Sequence, residues 1–384
     1  MNEKMFLIRY GEIFLKSKPV FKMFYNILVN NIREQLNREK IDYQLSATRE
    51  RIFIKTEKDN FEKTKEILKN IFGITSFSLV DYLETSDIEK IADFVQSNYQ
   101  NFIKPEETFA IRVTRQGKHT YSSQDLASKI GGLINAKVDL SNPQKEIFID
   151  VRNDQAFIYT EIIKGRGGLP VGASGKILVL ISGGIDSPVA SFLMNKRGCE
   201  NIFLHFHSFP ITSHRSQEKT REILNILKKF QPRIKIYFVP FADIQNYIKT
   251  TVEPKYRIIL YRRSMIRIAN KIAQSEKIKA LATGEALGQV SSQTLDNIYV
   301  INQASCLPIL RPLIGFDKEE IIKLAKDIDT YNISIEQCED TCTLFTPKHP
   351  ATQAELETIQ AIENKIKISA KEKQALLKME KEII

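Results

Sequence analysis

The sequence predicts an α/β protein built in two parts, an α+β half followed by a doubly wound parallel sheet. Three observations carry that prediction. Residues 1–165 mix helices with short, largely antiparallel strands. A glycine-rich stretch, GRGGLPVGASG from Gly165 to Gly175, then interrupts the hydrophobic periodicity and reads as a linker. Beyond it, continuously apolar strands alternate with helices, the pattern of a parallel sheet covered on both faces. At 384 residues the chain also exceeds what one hydrophobic core usually serves.

In the first half, MFLIRYGEIFLKS alternates as a strand and ends in polar turn material. VFKMFYNILVNNIREQL follows with helical spacing, Phe21, Phe24, Leu28 and Ile32 lying along one stripe. YQLSATRERIFIKT reads as strands, and FEKTKEILKNIFG as a helix closed by Gly73 at its C-cap. ITSFSLVDYLET is a strand, and SDIEKIADFVQSNY a helix opened by a Ser86–Glu89 capping box. TFAIRVTRQG is a strand and SSQDLASKIGGLINA a helix. KEIFIDVRNDQAFIYTEIIKG is a hairpin turning at Asn153-Asp154.

After the linker, KILVLI is an apolar strand, SGGIDS a loop and SPVASFLMNKRG a helix. ENIFLHFHSF, IKIYFVPF and KALATGE are the next strands. SQEKTREILNILKKF and YRIILYRRSMIRIANKIAQSE are the helices between them. The tail from Thr352 to Ile384, rich in Lys and Glu, reads as helical.

Composition narrows the class. Apolar content of 42% and charged content of 27% are ordinary for a soluble protein. No run of 18 uncharged apolar residues occurs, and MNEKMFLIRYGEIF meets charge too early for a signal peptide, so a cytoplasmic protein without a membrane span is expected. The four cysteines, Cys199, Cys306, Cys338 and Cys342, make no disulfide framework and no CxxC. His205 and His207, in HFH, have no cysteine or carboxylate beside them at metal-ligand spacing. The net charge of +10 points to a polyanionic partner. Its distribution is uneven: 18 Lys and Arg face 7 Asp and Glu over residues 176–277, against 26 and 23 over residues 1–170. The second half therefore meets much of the negative ligand, unless the excess is simply a solvated basic surface.

SGGIDS, Ser182 to Ser187, lies between an apolar strand and a helix, where open parallel sheets bind ligands. Gly183 and Gly184 allow positive φ and keep side chains away from a phosphate. Ser182 and Ser187 offer hydroxyl donors, and the following helix points its positive end at the anion, with Pro188 in its first turn. No GxxxxGK[ST] is present. In place of the phosphate-binding lysine of that loop stands Asp186, a carboxylate that makes sense if it meets Mg²⁺ or a nucleotide's pyrophosphate through Mg²⁺. The plain alternative is a glycine-rich turn capped by an aspartate.

SGGxDS in this setting resembles the PP-loop ATP pyrophosphatases, which cleave ATP between the α- and β-phosphates and adenylate a carbonyl oxygen. Further stretches narrow the resemblance: HFHSFPITS, YRRSMIRIA, ATGEALGQVSSQT, RPL (Arg311 to Leu313) and CEDTCTLFTPKHP. Together they resemble the bacterial tRNA 4-thiouridine synthetases, in the form lacking a C-terminal rhodanese domain. Residues 1–165 resemble that family's ferredoxin-like and THUMP domains, so the resemblance covers essentially the whole chain. It implies a ferredoxin-like domain over 1–59, a THUMP RNA-binding domain over 60–165, a linker over 166–175 and a PP-loop domain over 176–384. It implies ATP and Mg²⁺ as cofactors, tRNA as substrate, and replacement of the uracil C4 oxygen by sulfur.

Carried onto matching positions, the resemblance places ATP against Leu180, Ile181, Ser182, Gly183, Gly184, Asp186, Ser187, His205, Phe206, Arg262, Gly284 and Gln293. Taken singly, His205 and Phe206 read as strand-end core residues and Gln293 as surface. Asp186 and Cys342 are the expected catalytic residues, Cys342 being where the family places the cysteine that handles sulfur. A persulfide's outer sulfur is acidic and nucleophilic, which suits attack on an adenylated uracil. Cys199 and Cys306 read as packing residues. Cys338 is either a second thiol that releases sulfur by closing a disulfide or an inert loop residue.

Sulfur delivery is then expected from a cysteine desulfurase or a separate rhodanese. A second acceptor, the sulfur carrier protein of thiamine synthesis, follows from the family by analogy. For tRNA, Arg112, Arg115 and Lys118 lie with His119 and Tyr121 on a strand and its loop, mixing charge with rings, and Lys164 and Arg166 extend the set. A homodimer is expected, because a domain holding one part of tRNA must present a distant uridine to the PP-loop. The competing readings are another PP-loop tRNA enzyme (2-thiolation or lysidine formation), an amidation of GMP-synthetase type, and a non-catalytic tRNA-binding protein. Cys342 and the N-terminal RNA module count against amidation, TGEALGQVSSQT against the other tRNA enzymes, and an intact SGGIDS against the last.

Overall fold

The apolar residues of EKMFLIRY fall on both faces of a strand, β1 (Glu3–Tyr10), and Phe6, Leu7 and Ile8 are fully buried there. The structure, a computed structural model, describes residues 3–337, 347 and 349–384. It divides into two compact units, Met1–Ser17 with Ile32–Gly167 and Lys18–Asn31 with Gly168–Ile384. The strand expected over MFLIRYGEIFLKS is cut at Tyr10, and Glu12–Leu15 form a 3-10 turn that leaves Phe14 and Leu15 exposed. Helix α1 (Lys18–Arg38) carries the expected stripe, with Leu28 and Ile32 fully buried and Phe21 only partly.

Strands β2 (Tyr43–Ala47) and β3 (Ile52–Thr56), helix α2 (Phe61–Asn70) and strand β4 (Ile74–Leu83) follow. Helix α2 ends with Ile71 already extended, so Gly73 is not its C-cap. The φ of 100° at Gly73 serves the turn into β4, where its N–H donates to the Gly167 carbonyl at 2.8 Å. Helix α3 (Ile88–Asn98) is capped by Asp87, whose carboxylate accepts from the amides of Glu89 and Lys90 at 3.0 Å. The Ser86–Glu89 box is therefore displaced by one residue, a carboxylate being the stronger acceptor for orphan amides.

Then come β5 (Phe109–Gln116), α4 (Ser123–Leu133), β6 (Lys145–Arg152), β7 (Gln155–Tyr159) and β8 (Ile163–Lys164). Asn153 takes a φ of 48° in the β6–β7 turn. The sheet runs β2-β3-β1-β4-β7-β6-β5, with β8 also on β4. Its pairings are antiparallel except β5 with β6, which α4 joins as a crossover. Ile91, Val95, Leu126 and Ile130 of α3 and α4 pack over Phe109, Ile147 and Ile149 of this sheet.

The second unit winds β9 (Lys176–Leu180), α5 (Asp186–Lys196), β10 (Glu200–His207), α6 (Arg215–Leu227) and β11 (Lys235–Pro240). Helices α7 (Ala242–Thr251) and α8 (Arg257–Ser275) lead to β12 (Leu281–Ala282), α9 (Leu295–Asn302), β13 (Ile309–Leu310), α10 (Lys318–Asp327) and α11 (Tyr331–Ser334). Helices α12 (Leu356–Ile366) and α13 (Ser369–Leu377) and strand β14 (Glu380–Ile383) follow. The sheet order is β13-β12-β9-β10-β11-β14, parallel except for β14, which pairs antiparallel with β11. The helical tail is thus corrected at its last turn: MEKEII alternates and closes the sheet edge.

Strands β9, β10 and β11 are buried on both faces, as their continuous apolar runs require. Their core joins Leu178, Ile202, Leu204 and Val239 to Ile268 and Ile272 of α8. From β9 the chain winds outward through β10 and β11, then returns to place β12 on the other side of β9. That reversal between β9 and β12 is the point where open α/β sheets leave a crevice at their carboxyl edge. No helix among the described residues is long and apolar enough to cross a membrane.

Candidate active site

A cavity of about 470 Å³ fills that crevice. Leu180, Ile181, Ser182, Gly184, Asp186 and Ser187 reach it from the end of β9 and the start of α5, His205 and Phe206 from β10 and Arg262 from α8. Gly284 and Gln293 come from the segment after β12. The structure thus brings together the residues the sequence singled out for ATP, apart from Gly183. Ile258, Met265, Thr283, Glu285 and Gln289 complete much of the wall; all but Ile258 lie in the stretches YRRSMIRIA and ATGEALGQVSSQT, though none was singled out as a nucleotide contact.

The SGGIDS loop is closed by its own serines. The Ser187 hydroxyl donates to the Ser182 carbonyl at 3.2 Å and accepts from the Ser182 amide at 2.8 Å, while the Gly184 amide reaches the Ser182 Oγ at 3.3 Å. Neither Gly183 nor Gly184 takes a positive φ, so the expectation of left-handed backbone there is corrected. What glycine supplies is space: a Cβ on Gly183 would stand 3.0 Å from the Lys219 stem. The stricter requirement is at Gly284, where a Cβ would lie 2.8 Å from the Ser187 nitrogen and 2.9 Å from the Asp186 carbonyl carbon. The end of β12 touches the first turn of α5 backbone to backbone, and only glycine permits it.

Asp186 opens α5 and holds two partners, Lys318 Nζ at 2.6 Å on Oδ1 and Gln289 Nε2 at 2.9 Å on Oδ2. Glu285 is buried and receives Arg311 Nε at 2.7 Å and the Thr283 hydroxyl at 3.0 Å. The TGE and RPL stretches, separate in sequence, meet in that pair. His205 bridges Ile181 and α6: Nδ1 faces the Ile181 carbonyl at 3.0 Å, which can only accept, so Nε2 takes the Ser216 hydroxyl at 3.0 Å. Gln293 is buried, and its Oε1 has no hydrogen-bond partner among the described residues. Next along β10, burial pushes His207 down to about 4, helped by the nearby His205, His214 and Arg221. It is therefore neutral near pH 7.

Lys219 of α6, nearly fully buried, runs its stem beside Gly183 and donates from Nζ to the carbonyls of Ser334 at 2.9 Å and Glu336 at 2.7 Å. Arg215 pairs with the Glu336 carboxylate and with Glu222 at 2.6 Å. These two cations hold residues 334–336 against the nucleotide loop. Cys338 and Cys342 lie outside the described residues. Cys199 is half-buried, which pushes its thiol up, whereas Cys306 is exposed rather than packed.

In the first unit the cationic residues do not form one cluster. Arg112 pairs with Glu146 at 2.7 Å and donates to the Leu140 carbonyl beside a shallow groove. Arg115, three residues on, projects from the opposite face of β5 and lies 5.5 Å over the Tyr121 ring, which also meets His119. Lys118 is exposed in the loop after β5. Lys164 sits against β4, and Arg166 reaches Asn70 Oδ1 at 3.4 Å. Among the described residues no group of three His, Cys, Asp or Glu side chains could hold a metal ion.

Comparison with known proteins agrees with this architecture. Residues 172–368 match the family described as thiamine biosynthesis protein (ThiI), residues 5–78 its ferredoxin-like domain, and residues 85–161 the THUMP domain. The chain is 40% identical over 368 residues, 94% of each chain, to a protein of Thermoanaerobacter sp. (strain X514) described as "Probable tRNA sulfurtransferase". A Bacillus licheniformis protein of the same description is 40% identical over 370 residues, covering 95% of this chain and 92% of that one. A solved 4-thiouridine synthetase–RNA complex with bound ATP superposes with a TM-score of 0.90 over the whole of both chains at 34% identity. On the strength of these matches along nearly its full length, the chain belongs to the ThiI family of tRNA sulfurtransferases.

Proposed function

We propose that this protein binds ATP in the β9–β12 crevice and uses it to replace the C4 oxygen of a tRNA uridine with sulfur, giving 4-thiouridine. The observation that carries the proposal is the convergence of the SGGIDS loop, the α5 N-terminus and the Asp186–Lys318 pair on one cavity at the sheet's reversal point. Helix-terminal amides and the Ser182 and Ser187 hydroxyls suit phosphate. Leu180, Ile181 and Phe206 form apolar walls for adenine, and the unpartnered Gln293 Oε1 suits a ligand amino group. We assign ATP contacts also to Gly183, Gly184, Asp186, His205, Arg262 and Gly284, and tRNA contacts to Arg112, Arg115, Lys118, Lys164 and Arg166.

In this reading the uracil O4 attacks the α-phosphorus and pyrophosphate leaves. The outer sulfur of a Cys342 persulfide then attacks C4, and the C4–O bond breaks to release AMP. A second thiol, for which Cys338 is the candidate, next attacks the Cys342 sulfur, so that the S–S bond breaks and the outer sulfur stays on C4. The two cysteines leave as a disulfide that an external thiol reductant reopens. Lys318, held on Asp186, stands ready to meet the charge of the departing pyrophosphate. A single carboxylate beside a phosphate loop fits Mg²⁺, which is held by one or two carboxylates plus phosphate oxygens rather than by a protein cage. Asp186 would hold it there, and the ion would supply charge compensation on the phosphates.

We assign sulfur delivery to a cysteine desulfurase or a separate rhodanese, in the cytoplasm, and the domain limits to 1–59, 60–165 and 176–384 with the linker between. The family's description supports a second acceptor, the sulfur carrier protein of thiamine synthesis; growth without thiamine after deletion of the gene would remove that role. We also propose a homodimer, which a monomeric mass with and without tRNA would overturn.

The test is nucleoside mass spectrometry of unmodified tRNA incubated with the protein, Mg-ATP, a cysteine desulfurase and cysteine, beside the same reaction with Cys342→Ala. New 4-thiouridine with wild type and none with the variant is expected. Thiouridine in both reactions would remove Cys342 as carrier, and its absence from both would remove the reaction.

A further inference from the structure

The adenylation chemistry requires the uracil C4 oxygen to meet an α-phosphate inside the crevice, so the target base must leave its stack in the RNA. An unstacked base needs a replacement surface. The second unit presents one on the loop that leaves β10 at the carboxyl edge of the sheet, the edge shared with SGGIDS. Phe206 lines the cavity, and Phe209, three residues on, lies within about 11 Å of it along the chain. Phe209 is 41% exposed, unlike the buried rings of β10 itself. One face of its ring stacks on His214, centroids 4.0 Å apart and planes at 25°.

This pair stands on a built foundation. The Ser208 hydroxyl donates to Gln245 Oε1 at 2.6 Å, and the Ser208 carbonyl accepts from the amides of Ile211 at 2.8 Å and Thr212 at 3.1 Å. His214 Nδ1 meets Gln217 Oε1 at 2.9 Å, which fixes the second ring from helix α6. An exposed aromatic face on a hydrogen-bonded loop beside a nucleotide-sized crevice is the usual surface for an unpaired base. An ordinary exposed phenylalanine would lack both the second ring and the hydrogen-bonded base beneath it.

We propose that Phe209, backed by His214, is the stacking platform that receives the flipped target pyrimidine and aims its C4 oxygen at the ATP in the crevice. This rests on the tRNA-thiolation reading above. Phe209 is a positioning residue here: it holds the base and transfers neither proton nor sulfur.

The experiment compares wild type, Phe209→Ala and Phe209→Tyr for ATP affinity, tRNA affinity and steady-state thiolation. Phe209→Ala is expected to bind ATP as wild type does, and tRNA nearly so, yet to lose roughly tenfold to a hundredfold in kcat/KM for tRNA, the scale of one lost base–aromatic stack. Phe209→Tyr, which keeps the ring, is expected to retain most of the activity. Equal kcat/KM in the alanine variant, or an equal loss in the tyrosine variant, would overturn the assignment.

A second readout uses tRNA already carrying 4-thiouridine, irradiated with near-ultraviolet light on the wild-type protein with ATP. The adduct is expected on the tryptic peptide of residues 198–215, and an adduct confined to other peptides would overturn the proposal. Wild-type protein that forms no 4-thiouridine at all would instead remove the reading on which the proposal rests.

Discussion

At the scale of single residues, the nucleotide site depends on contacts that residue type announces only in part. Ser182, Gly184, Asp186 and Ser187 were legible because the motif lies between a strand and a helix, and the fold puts that junction in the crevice. Lys318 and Lys219 were not, and Gln289 only as one letter of ATGEALGQVSSQT. Lys318 and Gln289 reach Asp186 from 132 and 103 residues away, and no local pattern announces a partner at such a separation. Gly284 is the sharpest case, since its need for glycine arises from the backbone of α5. Gly284→Ala should push β12 and α5 apart and weaken ATP binding by roughly tenfold or more, as overpacking of a tight contact does. A nucleotide titration that found wild-type affinity would show that the two elements separate freely.

At the scale of elements, the rhythm of apolar residues set the order of strands and helices in both halves, while the ends of elements were decided by contacts outside the rhythm. Asp87 rather than Ser86 caps α3 because a carboxylate competes better for the free amides. Strand β12 was read within KALATGE, but the short β13 and the terminal β14 were not, since two to four residues hold too little alternation to stand out. Helices α12 and α13 are tied to α8 by charge. Glu363 bridges Arg263 at 2.7 Å and Arg267 at 2.6 Å, and Glu372 receives Arg267 at 2.8 Å and the Ser264 hydroxyl at 2.7 Å. Burial alone would raise the Glu363 carboxyl, but its bonds to the two arginines outweigh burial and hold it below the usual range. A folded-state pKa lowered in this way adds stability above the ordinary carboxylate range and loses it as pH falls through that range and below. Thermal unfolding should therefore show a steeper acid-side decline in wild type than in Glu363→Gln, which is itself less stable near neutrality. Parallel declines in the two proteins would mean that the bridge contributes nothing on docking.

At the scale of the whole molecule, the chemistry and the RNA-binding fold occupy different compact units. The alternation of secondary structure and the glycine-rich stretch made that division visible in the sequence. The excess of cationic residues over 176–277 did not show its use in advance: several of them, such as Arg263, Arg267 and Lys235, are spent on internal ion pairs. If the units divide the labour, Asp186→Asn should leave tRNA affinity unchanged and abolish thiolation, read by filter binding and nucleoside analysis of the same preparation. Thiolation that survived the substitution would sink the proposed role of Asp186. The reversal that creates the crevice has a further, kinetic meaning. Its two walls, β9 and β12, stand about a hundred residues apart in the chain, so the pocket is closed by one of the most non-local pairings in its sheet, with the large loop-closure cost that implies. If that pairing is still unmade in the folding transition state, a nucleotide seated there grips a contact that only the native protein has. It then acts as a brake on unfolding and leaves the speed of folding almost untouched.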